Sequence, residues 1–491
     1  MTTVLTMPVV APALIAVMYA LAPWRPALAW LGVIASAAVL AAGIALAVAV
    51  TSDGPLATVG DYLYADSLSA YMLIVIGVVA VLATAASPAY LAAEIRAGTA
   101  TDATARRYNM LVQAFIAAMA LAVVAGDLGI VWVAVEATTI ATAFLVGLGR
   151  SRLSVEAAWK YVVICSVGIA LALLGAILLN YTADQAGAVA GLNWVELADA
   201  AGGFDSGSTR IAVALLFVGF GTKAGLAPLF AWLADAHGQA PAPVSALMSG
   251  VLLAVAFYAI LRVKVIADAA LGTGFARTVI VLMALVSLAL AATLLIAQRD
   301  YKRMLAYSSI EHMGLIALGA AAGSSLAMAA VLLHILGHGL AKTVAFLAAG
   351  RITQLTGSSS VASVHALGST EPGLVAVFGI GVLALVGMPP FSIFASTLGI
   401  VRAGFADGLG WPTAIAMFLI MIIAAALMRH VSSMLLGPIG AGHERPVGDS
   451  TRRAVVVPLV LGLVVCAALG ITLGPLQSLL TDAAAIVGTT P

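Results

Sequence analysis

The 491 residues are 63% hydrophobic and 9% charged, with a mean hydropathy of +1.14. A soluble domain carries roughly 25% charged residues, so a water-soluble core is excluded and the chain reads as a polytopic membrane protein. A net charge of +1 gives no footing for nucleic acid. The two cysteines, Cys165 and Cys466, lie in apolar runs and cannot supply a CxxC pair or hold an iron–sulfur cluster.

About 20 apolar residues span a bilayer as a helix. About fourteen such runs follow one another, at 4–22, 27–50, 67–90, 109–125, 128–149, 155–179, 209–233, 242–263, 274–297, 303–321, 324–350, 372–401, 412–434 and 454–473. The first run has no basic stretch before it and is read as a membrane helix, not a cleaved signal. The loops alternate in charge. Arg25, Arg96, Arg106, Arg107, Arg150, Arg152, Arg299, Lys302, Arg303, Arg351, Arg429, Arg445, Arg452 and Arg453 fall on one face. Asp53, Asp61, Asp66, Asp184, Glu196, Asp199 and Asp205 fall on the other. Lys and Arg set orientation, which predicts a cytoplasmic basic face and both termini outside. The loop holding Arg262, Lys264 and Arg277 disagrees with that pattern.

Two runs are interrupted. Lys223-Ala-Gly-Leu-Ala-Pro228 breaks the seventh, and Gly387-Met-Pro389-Pro390-Phe391 breaks the twelfth. Paired breaks are the sequence sign of inverted repeats. The expected division is an N-terminal region at 1–108, repeats at 109–263 and 264–435, and a C-terminal helix region at 436–491.

A charge at the bilayer centre costs at least about 2.5–3.5 kcal/mol, so ionisable groups there are functional candidates. Here they are Glu136, Lys223, His237, Glu311, His312, His334, His338 and Lys342. Glu136 is a proton carrier or a cation's partner, or else a protonated carboxyl bonded to Thr138 or Thr139. Lys223 stands just before a break. Burial disfavours a charged lysine and a nearby carboxylate favours it, so a balance of the two lets it load and release a proton; the other reading is a lysine that snorkels to an interface. His334, His338 and Lys342 at i, i+4 and i+8 share one helix face and make a polar stripe about 12 Å long. Such a stripe suits proton hopping; a metal site and plain interhelical hydrogen bonds are the alternatives. Glu311 and His312 are adjacent and point about 100° apart. His237 lies near the basic face, where it caps, hydrates or takes part in transport. No phosphate loop, nucleophile elbow or dinucleotide fingerprint is present, so a redox reaction on this chain alone is not expected.

The segments GTKAGLAPLFAWLADAHGQAPAPVSALMSGVLL, QRDYKRMLAYSSIEHMGLIALG, HILGHGLAKTVAFLAAGRI and GMPPFSIFAS together resemble the antiporter-like membrane subunits of respiratory complex I. The Glu-His after Tyr-Ser-Ser is most similar to the branch in hydrogenase-4-type complexes, component F. The resemblance covers roughly the fourth to thirteenth helices and implies an all-α fold with two inverted five-helix repeats and discontinuous seventh and twelfth helices. It implies a half-channel formed by Glu136 and Lys223, and a central group formed by Lys342 with His334 and His338. The family's linking lysine or histidine on the eighth helix is Ala254 here, and its titratable exit residue on the twelfth falls at Thr397. The resemblance further implies a non-catalytic proton-translocating subunit of the plasma (inner) membrane, with no cofactor of its own. Its partners would be other membrane subunits and peripheral hydrogenase-like or complex-I-like redox subunits carrying iron–sulfur clusters. A cation/proton antiporter subunit without redox partners, and a non-pumping structural subunit, remain as alternatives.

Overall fold

Helices occupy every one of the predicted apolar runs. A computed structural model describes residues 2–58, 60–188, 191–364, 371–436 and 451–488; Arg445, assigned above to the basic face, lies outside them. The chain opens with α1 (Thr2–Leu21), α2 (Ala29–Asp53), α3 (Ser67–Arg96), α4 (Asp102–Val124), α5 (Leu128–Val146) and α6 (Arg152–Gln185). Between α2 and α3 lies a hairpin of β1 (Leu56–Thr58) and β2 (Leu63–Ala65), with Leu56 opposite Ala65. A short α7 (Trp194–Ala200) precedes α8 (Ser206–Lys223) and α9 (Trp232–Gln239). Then come α10 (Ala242–Leu247), a π turn (Met248–Leu252) and α11 (Leu253–Leu271) in one continuous rod. The second half runs through α12 (Thr273–Ile296), α13 (Tyr301–Ala322), α14 (Ser325–Thr356), α15 (Pro372–Leu385), α16 (Ser392–Ala406), α17 (Gly410–Leu436), α18 (Thr451–Ile471) and α19 (Leu476–Val487).

Among the described residues, ten helices are long and apolar enough to cross a membrane. The remaining predicted runs hold the interrupted pairs α8/α9 and α15/α16, the more highly charged α13, and α18, which bends by 73° into α19. Side chains fix most helix starts. Asp66, Asp127, Asp205, Asp300 and Ser324 each accept from a backbone N–H of the first turn, filling donors that a helix end leaves open. The central stretches of α10–α11 and α14 are wholly buried among the other helices, while α1 and α17 show most of their surface.

Both breaks are non-helical backbone among spanning helices, tolerated where protein satisfies the freed groups. At the first, Gly225 takes φ +76°, a conformation that only glycine adopts without strain, and the Ala227–Pro228 bond is cis. The Ala227 N–H donates to Ser287 Oγ at 2.9 Å, and Trp232 Nε1 donates to the Thr222 carbonyl at 2.9 Å. At the second, Gly387 takes φ +79° and Pro389–Pro390 is cis. There α18 passes so close that a methyl group on Gly470 would meet the backbone of Pro390 and Phe391, with Phe391 C at 2.6 Å. Gly470→Ala should therefore lower stability by about 1–3 kcal/mol, as overpacking does, seen as a lower Tm of the purified chain in detergent.

The disagreeing basic loop has a structural explanation. α11 extends to Leu271, so Arg262 and Lys264 are helical side chains, both buried. Arg262 makes a bidentate pair with Asp66, both bonds 2.7 Å, and Lys264 pairs with Asp268 at 2.6 Å. Arg277 donates to the Asp407 carbonyl. These charges are matched inside the protein and are not a free basic loop. Beyond this, α4 starts at Asp102 rather than near 109, and the hairpin, α7 and α19 add elements that the hydropathy pattern did not resolve.

Candidate functional site

The first cluster forms where α5, α6, α8 and α9 meet. Lys223, the last residue of α8, is 2% exposed. Its ammonium donates to Thr139 Oγ1 at 2.8 Å and to the Tyr161 hydroxyl. It also lies 4.6 Å from the Tyr161 ring centroid and 5.9 Å from that of Trp232, where a ring face attracts a cation. Tyr161 OH is 2.6 Å from Thr142 Oγ1. Glu136 is half-buried on α5, and its Oε2 is enclosed without a hydrogen-bond partner. No ion pair within 4.0 Å joins it to Lys223. Neutral oxygens hold the Lys223 ammonium, and Glu136 is bonded to neither Thr138 nor Thr139.

A second cluster lies between α13 and α14. Lys342, fully buried, donates to the Leu305 carbonyl at 2.7 Å and to Ser308 Oγ. Glu311 is buried on α13 in the same region and makes no hydrogen bond among the described residues. Next to it stands a third cluster of imidazoles. His312 Nδ1 is 3.1 Å from His334 Nε2, and His334 Nδ1 is 2.9 Å from Ser396 Oγ on α16. The His312 and His338 ring centroids are 4.9 Å apart. Both His338 nitrogens, and His312 Nε2, are buried without a partner. Buried orphan nitrogens of this kind call for ordered water. Glu311 and His312 do part company, as their sequence spacing requires: one goes to the lysine region, the other to the histidines.

The α9 helix connects the two halves. Trp232 at its start packs edge-on against Tyr161, with centroids 4.8 Å apart. His237, one turn on, is fully buried and stacks on Phe346 of α14, with centroids 5.1 Å apart. His237 caps no helix end, and both its ring nitrogens are enclosed and without a partner in the protein. Lys302 closes the far end of α9, donating to the carbonyls of Gly238 at 3.1 Å and Ala240 at 2.9 Å, the favourable place for a cation at a helix C-terminus. Beside it a cavity of about 480 Å³ is lined by Lys160, Asp235, Gly238, Arg299, Asp300 and Arg303. Asp235 bridges Lys160 at 3.2 Å and Arg303 at 2.9 Å.

Ala254 is buried and offers no polar side chain. Thr397 is half-buried and makes no hydrogen bond among the described residues; its neighbour Ser396 is the residue that faces the histidines. Sequence reasoning missed Tyr161, Ser308, Lys302 and Ser396. His334 has both ring nitrogens engaged, and among the described residues no group of three or more His, Cys, Asp or Glu is arranged to hold a metal ion.

Interrupted helices around a buried line of lysines, carboxyls and imidazoles define an ion-translocating type of membrane protein. Residues 125–423 match the transmembrane family of NADH:quinone oxidoreductases and Mrp antiporters, and the chain belongs to that family. It is 34% identical to the hydrogenase-4 component F homolog of Methylacidiphilum infernorum over 85% of this chain and 86% of that one. It is 33% identical to NADH-quinone oxidoreductase subunit N of Desulforudis audaxviator over 69% of each. A chain of the membrane-bound sulfane sulfur reductase, an archaeal respiratory membrane complex, superposes with a TM-score of 0.86 at 25% identity, covering 99% of this chain and 97% of that one.

Proposed function

We propose that this chain moves protons across the cell membrane as one subunit of a hydrogenase-like or complex-I-like oxidoreductase. Electron transfer takes place on partner subunits carrying iron–sulfur clusters, and the basic face is cytoplasmic. One contrast carries this reading. Arg262, a cation with a structural task, is matched by a bidentate carboxylate. Lys223 and Lys342 are equally buried, yet their ammonium groups meet only hydroxyl and carbonyl oxygens. A carboxyl stands on a helix that supplies a partner to each lysine, Glu136 on α5 with Thr139 and Glu311 on α13 with Ser308, and neither bonds to the ammonium. A cation left unmatched in a low-dielectric setting is costly, and the cost falls when the proton is passed on. Coupling to redox events then needs only a change in how near each carboxyl stands to its lysine.

The test is proton uptake by inverted membrane vesicles containing the intact complex. Glu136→Gln keeps the shape and removes the charge; it should slow uptake at least about tenfold, with the redox activity of the complex still measurable. Uptake at the wild-type rate would refute the reading. Identification of the chains that co-purify in mild detergent separates redox partners from those of a cation/proton antiporter.

A further inference from the structure

The α16 helix carries no acid or lysine facing the histidine cluster, so a proton reaching that cluster needs another way out. The hydrogen bonds there have a direction. The Ser396 hydroxyl donates to the Ile393 carbonyl at 3.0 Å. With its one proton directed at Ile393, the hydroxyl is left as the acceptor in its contact with His334 Nδ1 at 2.9 Å, and Nδ1–H donates. A neutral imidazole has one N–H, which leaves His334 Nε2 as an acceptor. It accepts from His312 Nδ1–H across 3.1 Å. That in turn makes His312 Nε2 a bare lone pair, and this is the atom that is buried without a partner, on the imidazole packed 4.9 Å from His338. Each bond follows from the one before it, and the open acceptor lies at the end nearer the central lysine.

We propose that His312, His334 and Ser396 form a one-proton wire that carries protons from the central cluster onto α16, with Ser396 in the place of a titratable exit residue. This rests on the transport reading above. A proton binds His312 Nε2, and the His312 Nδ1 proton moves to His334 Nε2. The His334 Nδ1 proton moves to Ser396 Oγ as the original hydroxyl proton, directed at the Ile393 carbonyl, passes to a water that enters beside that buried oxygen. One N–H bond forms and one breaks on each ring, and one O–H forms and one breaks on the serine. One proton enters and one departs, with no charge left behind. The two bonds along the wire survive with reversed polarity: Ser396 now donates to His334 Nδ1 instead of to the Ile393 carbonyl, and His334 Nε2–H donates to His312 Nδ1. The wire must be reset by ring and hydroxyl reorientation before it can pass another proton the same way. The direction fits the fold. Along α14 the order Lys342, His338, His334 leads toward Ser324, and the Ser324 end lies on the same face as the hairpin. There α19 packs against Thr51 at the end of α2, and Gly488 meets Gly323 and Ser325.

Two measurements test this. In vesicles bearing the intact complex, Ser396→Ala should cut proton uptake about tenfold. Ser396→Thr should restore it, because the hydroxyl returns, and Thr397→Ala should leave it unchanged. Wild-type uptake in Ser396→Ala, or no rescue by threonine, overturns the proposal. The second measurement needs no transport: nitrogen NMR of the full chain in nanodiscs with labelled histidine. Ser396→Ala should shift the tautomer balance of His312 as well as His334, since the bonds are linked. A change confined to His334 shows that no wire exists. Failure of the transport reading appears instead as wild-type uptake in Glu136→Gln, whatever the NMR result.

Discussion

Arg262→Ala should destabilise the purified chain by about 3–5 kcal/mol, the usual result of stripping one partner from a buried ion pair. Asp66 is left with a carboxylate at 3% exposure. The loss extends further than one pair. Arg262 Nη2 also donates to Ser69 at 3.1 Å, and the guanidinium lies 4.0 Å from the Trp194 ring and 4.8 Å from that of Tyr258. Trp194 donates to the Ala125 carbonyl and Tyr258 to that of Val123. One side chain on α11 therefore holds the start of α3, the end of α4 and α7. Asp66→Asn combined with Arg262→Met should recover most of the stability. The asparagine still caps α3, and no charge remains unmatched. Thermal unfolding in detergent measures both, and a single-variant loss below about 1 kcal/mol would contradict this account.

The largest functional effect is expected at Lys223. Lys223→Ala should reduce proton uptake by on the order of a hundredfold, the low end of what a positioned proton-transfer group supplies. Lys223→Arg should fare no better, because arginine keeps its proton in proteins. Tyr161→Phe removes one of the two oxygens holding the ammonium and should give an intermediate loss. An active Lys223→Arg complex would show that the position needs charge alone. Initial rates of vesicle acidification, normalised to redox turnover, separate these outcomes.

Much of this was legible in the sequence, for definite physical reasons. A bilayer excludes polar backbone, so hydropathy located the helices, and Gly and Pro clusters marked both breaks. Ionisable groups in apolar runs are costly enough to stand out; Lys223, His334, His338 and Lys342 are buried and Glu136 is half-buried. Neutral partners did not stand out. Ser396, Ser308 and Tyr161 cost little in a membrane helix, where hydroxyls bond to their own backbone, so only coordinates show which hydroxyl meets which cation or imidazole. The resemblance places the family's exit residue at Thr397, whereas the hydroxyl that meets the histidines is on Ser396, about 100° away around the helix. Arg262 and Lys264 read as loop charges because their carboxylates are distant in sequence in one case and beyond the assumed helix end in the other. The α19 helix went unseen because half its surface is polar, although Leu476, Leu479, Leu480, Ala483 and Val487 carry an amphipathic spacing.

The π turn at Met248–Leu252 amounts to one surplus residue absorbed in a helix. The segments on either side keep the phase they would have if that residue were missing. Shortening the chain by one residue within 248–252 lets the rod continue as plain α-helix with Arg262 still aimed at Asp66. The damage is then confined to the Ser249–Ser309 contact of 2.7 Å and to the packing of Gly250 on Gly339. The same deletion between Leu253 and Leu261 turns Arg262 away by about 100°. Two deletions a few residues apart in one helix are thus of unequal consequence for the Arg262–Asp66 pair.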